Sequence, residues 1–141
     1  MSSLKKPPPD NRKPILQNIA EHLEKTREEI YTVYVFGSFI SKKKFTDIDL
    51  AVLLEEKMTD PFSYESHLEI ELEKISGCPI DLRILNNAPL SFCYTVIQTG
   101  TVILDKKPDA RSDFESRIIR QYLDFAYFQR RYLSEVTDAP I

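Results

Sequence analysis

The apolar residues of the chain alternate between helical and strand spacing, which predicts alternating helices and strands. The first apolar set recurs at helical intervals and consists of Ile15, Leu16, Ile19, Ala20 and Leu23. This spacing predicts an amphipathic helix over residues 13–27. Two strands should follow, because residues 32–36 are β-branched or aromatic and residues 47–55, DIDLAVLLE, are mostly apolar.

The next helix and strand have recognisable boundaries. Asp60 followed by Pro61 is typical of a helix start, because aspartate caps the first turn and proline fits its first position. Apolar residues then recur at helical spacing as far as Gly77, a common helix-ending residue. Residues 79–86, PIDLRILN, predict a third strand.

The last part of the chain predicts a helix, a short strand and one long helix. Asn87 and Pro89 open a helix that stops at Gly100, and residues 101–105, TVILD, predict the last strand. Residues 108–136 keep helical spacing without an internal glycine or proline, which predicts a single long helix. The expected fold class is therefore α/β (α+β), with one small mixed β-sheet covered by helices.

Length and composition indicate one folded unit. A chain of 141 residues fits a single domain, and its 42% hydrophobic and 29% charged residues are typical of a soluble globular protein. Residues 1–12, MSSLKKPPPDNR, have almost nothing to bury, so we expect a flexible leader there. Residues 13–141 are expected to form the domain.

Charge and cysteine content indicate which partners and which cellular compartment to expect. A net charge of -3 and a pI near 5.5 argue against direct nucleic-acid binding, which needs clustered positive charge. Cys78 and Cys93 lack metal-ligand spacing, and the N-terminus lacks a signal peptide, so we expect free thiols and a cytoplasmic protein. No apolar run approaches the roughly 20 residues that span a bilayer, which predicts no membrane association.

Two aspartates stand one residue apart where the second strand begins. Asp47 and Asp49 are two positions apart on a strand, so their side chains point to the same face. Carboxylates this close repel by about 1–3 kcal/mol, and a divalent cation converts that repulsion into attraction. Oxygen ligands without nearby histidine or cysteine favour Mg²⁺ or Mn²⁺ over zinc. Mg²⁺ is commonly held by one or two carboxylates together with substrate phosphates, which implies a phosphate-bearing substrate.

A Gly-Ser pair precedes these aspartates. Gly37 has no Cβ and allows phosphate to approach the backbone, while the Ser38 hydroxyl can donate a hydrogen bond. The pair and the aspartates follow one another across a loop, which predicts that they form one site. The alternatives are a plain turn for Gly37 and Ser38 and a solvated strand entrance for Asp47 and Asp49.

Taken together, these residues resemble the signature of the polymerase β-like nucleotidyltransferase superfamily, a Gly-Ser turn followed by Asp-x-Asp. Residues 80–105 and the later stretch FESRIIRQYLDFAYFQRRYL are similar to minimal nucleotidyltransferase (MNT) antitoxins, the partners of HEPN toxins. The resemblance covers roughly residues 32–133. It implies the polymerase β-like nucleotidyltransferase fold with a long C-terminal helix.

The resemblance also implies an activity and a set of residues. Gly37 and Ser38 would contact the nucleotide phosphates, and Asp47, Asp49 and Asp81 would hold two magnesium ions. Family members use ATP and Mg²⁺ to attach AMP to a tyrosine of the HEPN ribonuclease toxin, which silences the toxin. Asp81 would then lie beside the tyrosine hydroxyl and accept its proton.

The loop after Ser38 departs from the family pattern. Many members carry an Arg-Gly pair there, whereas this chain has FISKKKFT. Lys42, Lys43 and Lys44 are expected to supply the missing charge, with Lys42 and Lys43 as nucleotide-binding residues, although lysine lacks the bidentate geometry of arginine. Two other functions therefore stay open: an inactive module that neutralises the toxin by binding alone, and nucleotidyl transfer to a small molecule.

Two further features allow more than one interpretation. Asp81 and Arg83 share a strand face, so an ion pair is the alternative to a metal role for Asp81. The long C-terminal helix also carries arginines and six aromatic residues: Phe114, Tyr122, Phe125, Tyr127, Phe128 and Tyr132. This composition is typical of interfaces, so we expect the helix to pack partly on the sheet and to support a homodimer or a hetero-oligomer.

Overall fold

The computed structural model describes residues 9–41 and 47–138, which form alternating helices and strands. In chain order the elements are α1 (Pro9–Thr26), β1 (Ile30–Phe36), α2 (Ser38–Ser41), β2 (Ile48–Leu54), α3 (Pro61–Ser76), β3 (Ile80–Ile84), α4 (Leu90–Thr99), β4 (Thr101–Asp105) and α5 (Pro108–Asp138). A 3₁₀ turn, Leu85–Asn87, follows β3.

The four strands form one mixed sheet in the order β3-β2-β1-β4. β1 pairs antiparallel with both β2 and β4, while β2 and β3 are parallel and are connected through α3. A parallel pair needs such a crossover connection, because a tight turn can only join antiparallel strands. The predicted small mixed sheet with covering helices and a long C-terminal helix is confirmed.

The element boundaries follow local signals closely. Asp60 caps α3 by accepting a hydrogen bond from the Ser63 backbone N–H at 3.2 Å, and Gly77 ends the helix with φ +73°. α1 begins at Pro9, four residues before its predicted start, while the division of the chain at residue 12 stays a prediction. The short helix α2 was not predicted as a helix, because one turn is too short to show a periodic pattern.

β3 ends earlier than its sequence predicts, at Ile84 instead of residue 86. The reason is a side chain that replaces a backbone pairing. Asn86 accepts a hydrogen bond from the Leu54 N–H at 2.8 Å and donates one to the Leu54 carbonyl at 2.9 Å. Its amide therefore completes the end of β2 while the backbone turns away.

The sheet lies between two helical layers, each with its own hydrophobic core. Buried residues of α1 and α3, such as Leu23 and Leu72, pack on one face. Residues of α4 and α5, such as Val96 and Phe114, pack on the other. β2 is an inner strand of this three-layer arrangement, and Asp49 is the single residue of β2 that is not fully buried. This position explains why its sequence is almost continuously apolar.

Among the described residues, α5 contacts the rest of the protein mainly through its first part. Phe114 and Ile118 are buried against the sheet, the Tyr34 hydroxyl donates to Glu115 at 2.7 Å, and Tyr122 stacks on Tyr94 with ring centroids 3.8 Å apart. Beyond Tyr122 nearly every described side chain of the helix is exposed. Within the described ranges, no helix has the length and apolar character that crossing a membrane requires.

Candidate functional site

Two neighbouring strands carry the predicted acidic residues to the same end of the sheet. Asp47 directly precedes β2, Asp49 is the second residue of β2, and Asp81 is the second residue of β3. In the parallel pairing of these strands, Asp49 and Asp81 are direct register partners. Because neighbouring strands lie about 4.8 Å apart and register partners share a face, the two side chains stand next to each other.

Gly37 closes the site from the end of β1. It has φ +76°, a conformation that favours glycine, and Phe36 just before it pairs with Asp49. A Cβ atom on Gly37 would lie 2.2 Å from the Asp49 Oδ2 atom, far inside van der Waals contact. Glycine is therefore needed both for the turn and for the close approach of the Asp49 carboxylate, while its contact with nucleotide phosphates stays a prediction.

Of the other predicted phosphate-binding residues, Ser38 lies within the described part of the chain and the lysines do not. Ser38 is the first residue of α2, and this helix begins directly after Gly37. Lys42 and Lys43, predicted to bind nucleotide, and Lys44 lie outside the described residues. Their roles stay predictions.

The electrostatics of Asp49 reflect the gathering of carboxylates. Its pKa is raised to about 6, first because burial penalises the charged form and then because Asp47 and Asp81 repel it. Arg83 acts in the opposite direction. Ionised Asp49 is therefore held in an environment that disfavours negative charge unless a cation is added.

Arg83 is also the partner of Asp81 in the ion pair that the sequence suggested. The Arg83 Nε atom lies 3.5 Å from the Asp81 Oδ1 atom, and the two side chains are 55% and 48% exposed. A contact this long and this exposed contributes little to stability. Arg83 additionally lies over the Phe92 ring, 5.8 Å from its centroid. The ion pair thus coexists with the repulsion between Asp81 and Asp49.

The donor set fits a hard divalent cation that arrives with its substrate. Within the part of the chain that the structure describes, no three histidine, cysteine, aspartate or glutamate side chains stand close enough to enclose a metal ion. Mg²⁺, however, is usually held by one or two carboxylates together with water and phosphate oxygens. Asp47, Asp49 and Asp81 provide oxygen ligands of this kind, and their metal roles stay predictions.

A cleft gives solvent access to this region. It has a volume of about 440 Å³ and runs between α3, β3 and the turn that follows β3. Of the three aspartates, only Asp81 is among the described residues that line it. The cleft wall also contains Glu65 and Glu69 of α3 and Arg83 of β3, so its charged lining residues are three acids and one base.

Three glutamates on one face of α3 contact β3, and the sequence pattern did not predict this role. Glu65, Glu69 and Glu73 accept hydrogen bonds from backbone N–H groups of β3. Their spacing of four residues on a predicted helix was the available signal. It indicates only a shared helix face, however, and does not reveal what that face contacts.

Comparison with known protein families identifies the fold that carries this site. The polymerase beta nucleotidyltransferase family matches residues 17–109, which include Gly37, Asp47, Asp49 and Asp81. This chain belongs to that family. The predicted superfamily is confirmed. No curated protein sequence matches the chain.

Solved structures with the same fold come from toxin–antitoxin complexes. One contains a tri-AMPylated Shewanella oneidensis HEPN toxin with an MNT antitoxin; it is 20% identical, with a TM-score of 0.70 over 89% of this chain and 98% of the matched chain. A second, the MntA–HepT complex, is 19% identical with a TM-score of 0.69 over the same shares. A third, a toxin–antitoxin with AMP-PNP, is 21% identical with a TM-score of 0.70 over 86% and 98%. The fold resemblance to MNT antitoxins is thereby confirmed.

The close approach of Gly37 and Asp49 predicts that alanine at position 37 is more harmful than alanine at the other left-handed glycine. Gly37→Ala adds a clash with the Asp49 carboxylate to the strain of positive φ, whereas Gly77 has φ +73° and open space around it. We expect Gly77→Ala to cost about 1 kcal/mol and Gly37→Ala about 2–4 kcal/mol in the free energy of unfolding. Urea denaturation measures both. Equal losses would show that Asp49 simply moves aside.

The raised pKa of Asp49 predicts that its ionised carboxylate destabilises the fold. The folded state binds the proton more tightly than the unfolded state, so stability falls as pH rises from about 4 to 6, and the penalty is fully present above 6. Asp49→Asn should therefore stabilise the protein by about 1 kcal/mol at pH 8 and by almost nothing at pH 3.5. The value at pH 8 is kept small because solvent screens this partly exposed carboxylate. Thermal unfolding at both pH values tests this. An unchanged or lower stability of Asp49→Asn at pH 8 would contradict it.

Proposed function

We propose that this protein is an antitoxin that transfers AMP from ATP to a tyrosine of a cognate HEPN toxin in a Mg²⁺-dependent reaction. The observation that carries the proposal is the register pairing of Asp49 with Asp81 beside Gly37. Membership of the nucleotidyltransferase family supports the reaction class. The structural likeness to MNT–HEPN complexes, one with an AMPylated toxin and one with AMP-PNP, supports the partner and the nucleotide.

The residues divide the work of an in-line displacement at the α-phosphorus. The tyrosine oxygen forms a bond to this phosphorus, the bond to the bridging oxygen breaks, and pyrophosphate leaves. Asp81 accepts the proton of the tyrosine hydroxyl, a role that requires hydrogen-bond reach. Asp47 and Asp49 would hold Mg²⁺, which when bound offsets charge on the triphosphate and on the leaving group. Gly37 allows the phosphates to approach the backbone.

The exposed part of α5 is proposed as the surface that binds the toxin. Its large apolar side chains have no covering element within the described residues, and they are Leu123, Phe125, Tyr127, Phe128, Tyr132, Leu133 and Val136. An isolated helical segment of this length is marginal in water without packing partners. Exposed aromatic residues close together mark an interaction surface.

A binding module without chemistry is the second candidate function. The observation that favours it is this same surface, which can support complex formation whether or not transfer occurs. The departure from the Arg-Gly pattern after Ser38 points in the same direction, because a weaker phosphate grip lowers transfer but not binding. Transfer to a small-molecule acceptor has no structural observation in its favour.

The proposed reaction predicts label transfer from ATP to the toxin. The protein, radiolabelled ATP, Mg²⁺ and the product of the neighbouring gene should yield a toxin labelled on tyrosine. Asp47→Asn and Asp81→Asn should each lower the rate about 100-fold or more, while Asp109→Asn, an exposed aspartate of α5, should leave it unchanged. Toxin that is inhibited without becoming labelled would favour the binding module.

The proposed surface predicts a loss of affinity that is independent of the reaction. Phe125→Ser combined with Phe128→Ser should weaken toxin binding at least about tenfold, because two exposed anchors lose their apolar area. Ile70→Ser on α3, a position that is 55% exposed, serves as the matched control and should leave affinity unchanged. Isothermal titration calorimetry measures the affinities. An unchanged affinity of the α5 double variant would show that the toxin binds elsewhere.

A further inference from the structure

The outer edge of the sheet at β3 is closed by side chains instead of by another strand. Among the strands that the structure describes, β3 is the last of the sheet on its side, so alternate backbone N–H groups point away from β2. Such groups need acceptors, and an uncovered edge invites pairing with other chains. Here three carboxylates of α3 serve as the acceptors.

The contacts form a regular ladder. The Ile80 N–H donates to Glu73 at 3.2 Å, the Leu82 N–H donates to Glu69 at 2.8 Å, and the Ile84 N–H donates to Glu65 at 2.9 Å. The glutamate number falls as the strand number rises, so α3 and β3 run in opposite directions. We call these three contacts the glutamate ladder.

The ladder is possible because two unrelated periodicities almost coincide. Four helical residues rise about 6.0 Å, while two strand residues rise about 6.6 Å. The mismatch of about 0.6 Å per step is small enough for flexible glutamate side chains to absorb over three contacts. A spacing of four on the helix therefore matches a spacing of two on the strand.

The middle contact of the ladder lies directly beside the candidate site. The N–H of Leu82 belongs to the peptide group whose carbonyl is that of Asp81. On its other side, β3 pairs with β2 so that Asp81 is the register partner of Asp49. The backbone at Asp81 is thus fixed from both directions, by β2 on one side and by Glu69 and Glu73 on the other.

Holding a charged carboxylate at Glu69 has an electrostatic cost. The pKa of Glu69 is raised, first because burial penalises its charged form, and further because Asp81, Glu65 and Glu73 repel it; the hydrogen bond from Leu82 acts in the opposite direction. A neutral acceptor such as glutamine would avoid this repulsion. It would also keep an oxygen that can accept the same hydrogen bond.

We propose that Glu69 is a positioning residue for the transfer reaction, because its contact with Leu82 holds the Asp81 backbone in register with Asp49. This inference rests on the proposed function for its effect on catalysis. Its structural part, the fixing of the strand at Asp81, is independent of any reaction.

The test compares three variants of the full chain. Glu69→Ala removes the acceptor beside Asp81, Glu69→Gln keeps an acceptor there, and Glu65→Ala removes the equivalent contact at Ile84, three residues from Asp81. Amide hydrogen exchange and cross-strand NOEs between residues 49 and 81 report the geometry. Transfer of labelled AMP reports kcat and the KM for ATP.

The expected results separate positioning from general stability. In Glu69→Ala, exchange of the Leu82 amide should accelerate about tenfold or more and the cross-strand NOEs should weaken. Its kcat should fall about tenfold, while the KM for ATP should stay within about twofold of the wild-type value. The reason is that the nucleotide contacts are intact but the Asp81 carboxylate is displaced. Glu69→Gln should restore most of the slow exchange of the Leu82 amide and most of kcat. Glu65→Ala should change only the exchange of the Ile84 amide.

Several outcomes would overturn the proposal. Unchanged exchange and NOEs in Glu69→Ala would show that Glu69 does not hold the strand, whatever the activity. An equal fall of kcat in Glu65→Ala, an unaffected kcat in Glu69→Ala, or no recovery in Glu69→Gln would show that the residue acts only through stability or charge. A wild-type protein without transfer activity would refute the proposed function, and the exchange and NOE results alone would then decide whether Glu69 positions Asp81.

Discussion

The parallel pairing of β2 with β3 is the interaction on which the candidate site depends. It makes Asp49 and Asp81 register partners although 31 residues separate them along the chain. A shift of β2 by one residue would exchange the side chains that its two faces present to the two hydrophobic cores, such as Leu50 and Ala51, and would move Asp49 to the opposite face. The core residues that surround β2 therefore also determine which carboxylates meet, so packing and chemistry are not separable at this end of the sheet.

The site is assembled against the electrostatic preference of the folded chain. Burial and the neighbouring aspartates raise the pKa of Asp49, and the Asp49 carboxylate fills the space that a Cβ on Gly37 would occupy. Arg83 relieves this repulsion only partly, because its contact with Asp81 is long and solvent-exposed. Such an arrangement concentrates negative charge at an unfavourable position, and an added cation would relieve the repulsion. Functional sites commonly reduce stability in this way.

The edge of the sheet at β3 and the C-terminal part of α5 differ in whether their exposed groups are covered. At β3, the glutamates of α3 satisfy the outward N–H groups and close the sheet edge to other strands. At α5, the apolar residues continue along the helix beyond the body of the protein and remain exposed. One boundary thus prevents association and the other favours it.

Local patterns in the sequence determined the order of elements, the caps at Asp60 and Gly77 and the Gly-Ser and Asp-x-Asp signature. Each of these depends on backbone preference or periodicity within a few residues. Only the tertiary structure decided that Asp81 stands beside Asp49, that Gly37 contacts the Asp49 carboxylate and that the α3 glutamates bind β3. These contacts join distant segments, and their geometry follows from how both faces of the sheet are packed, which no local pattern encodes.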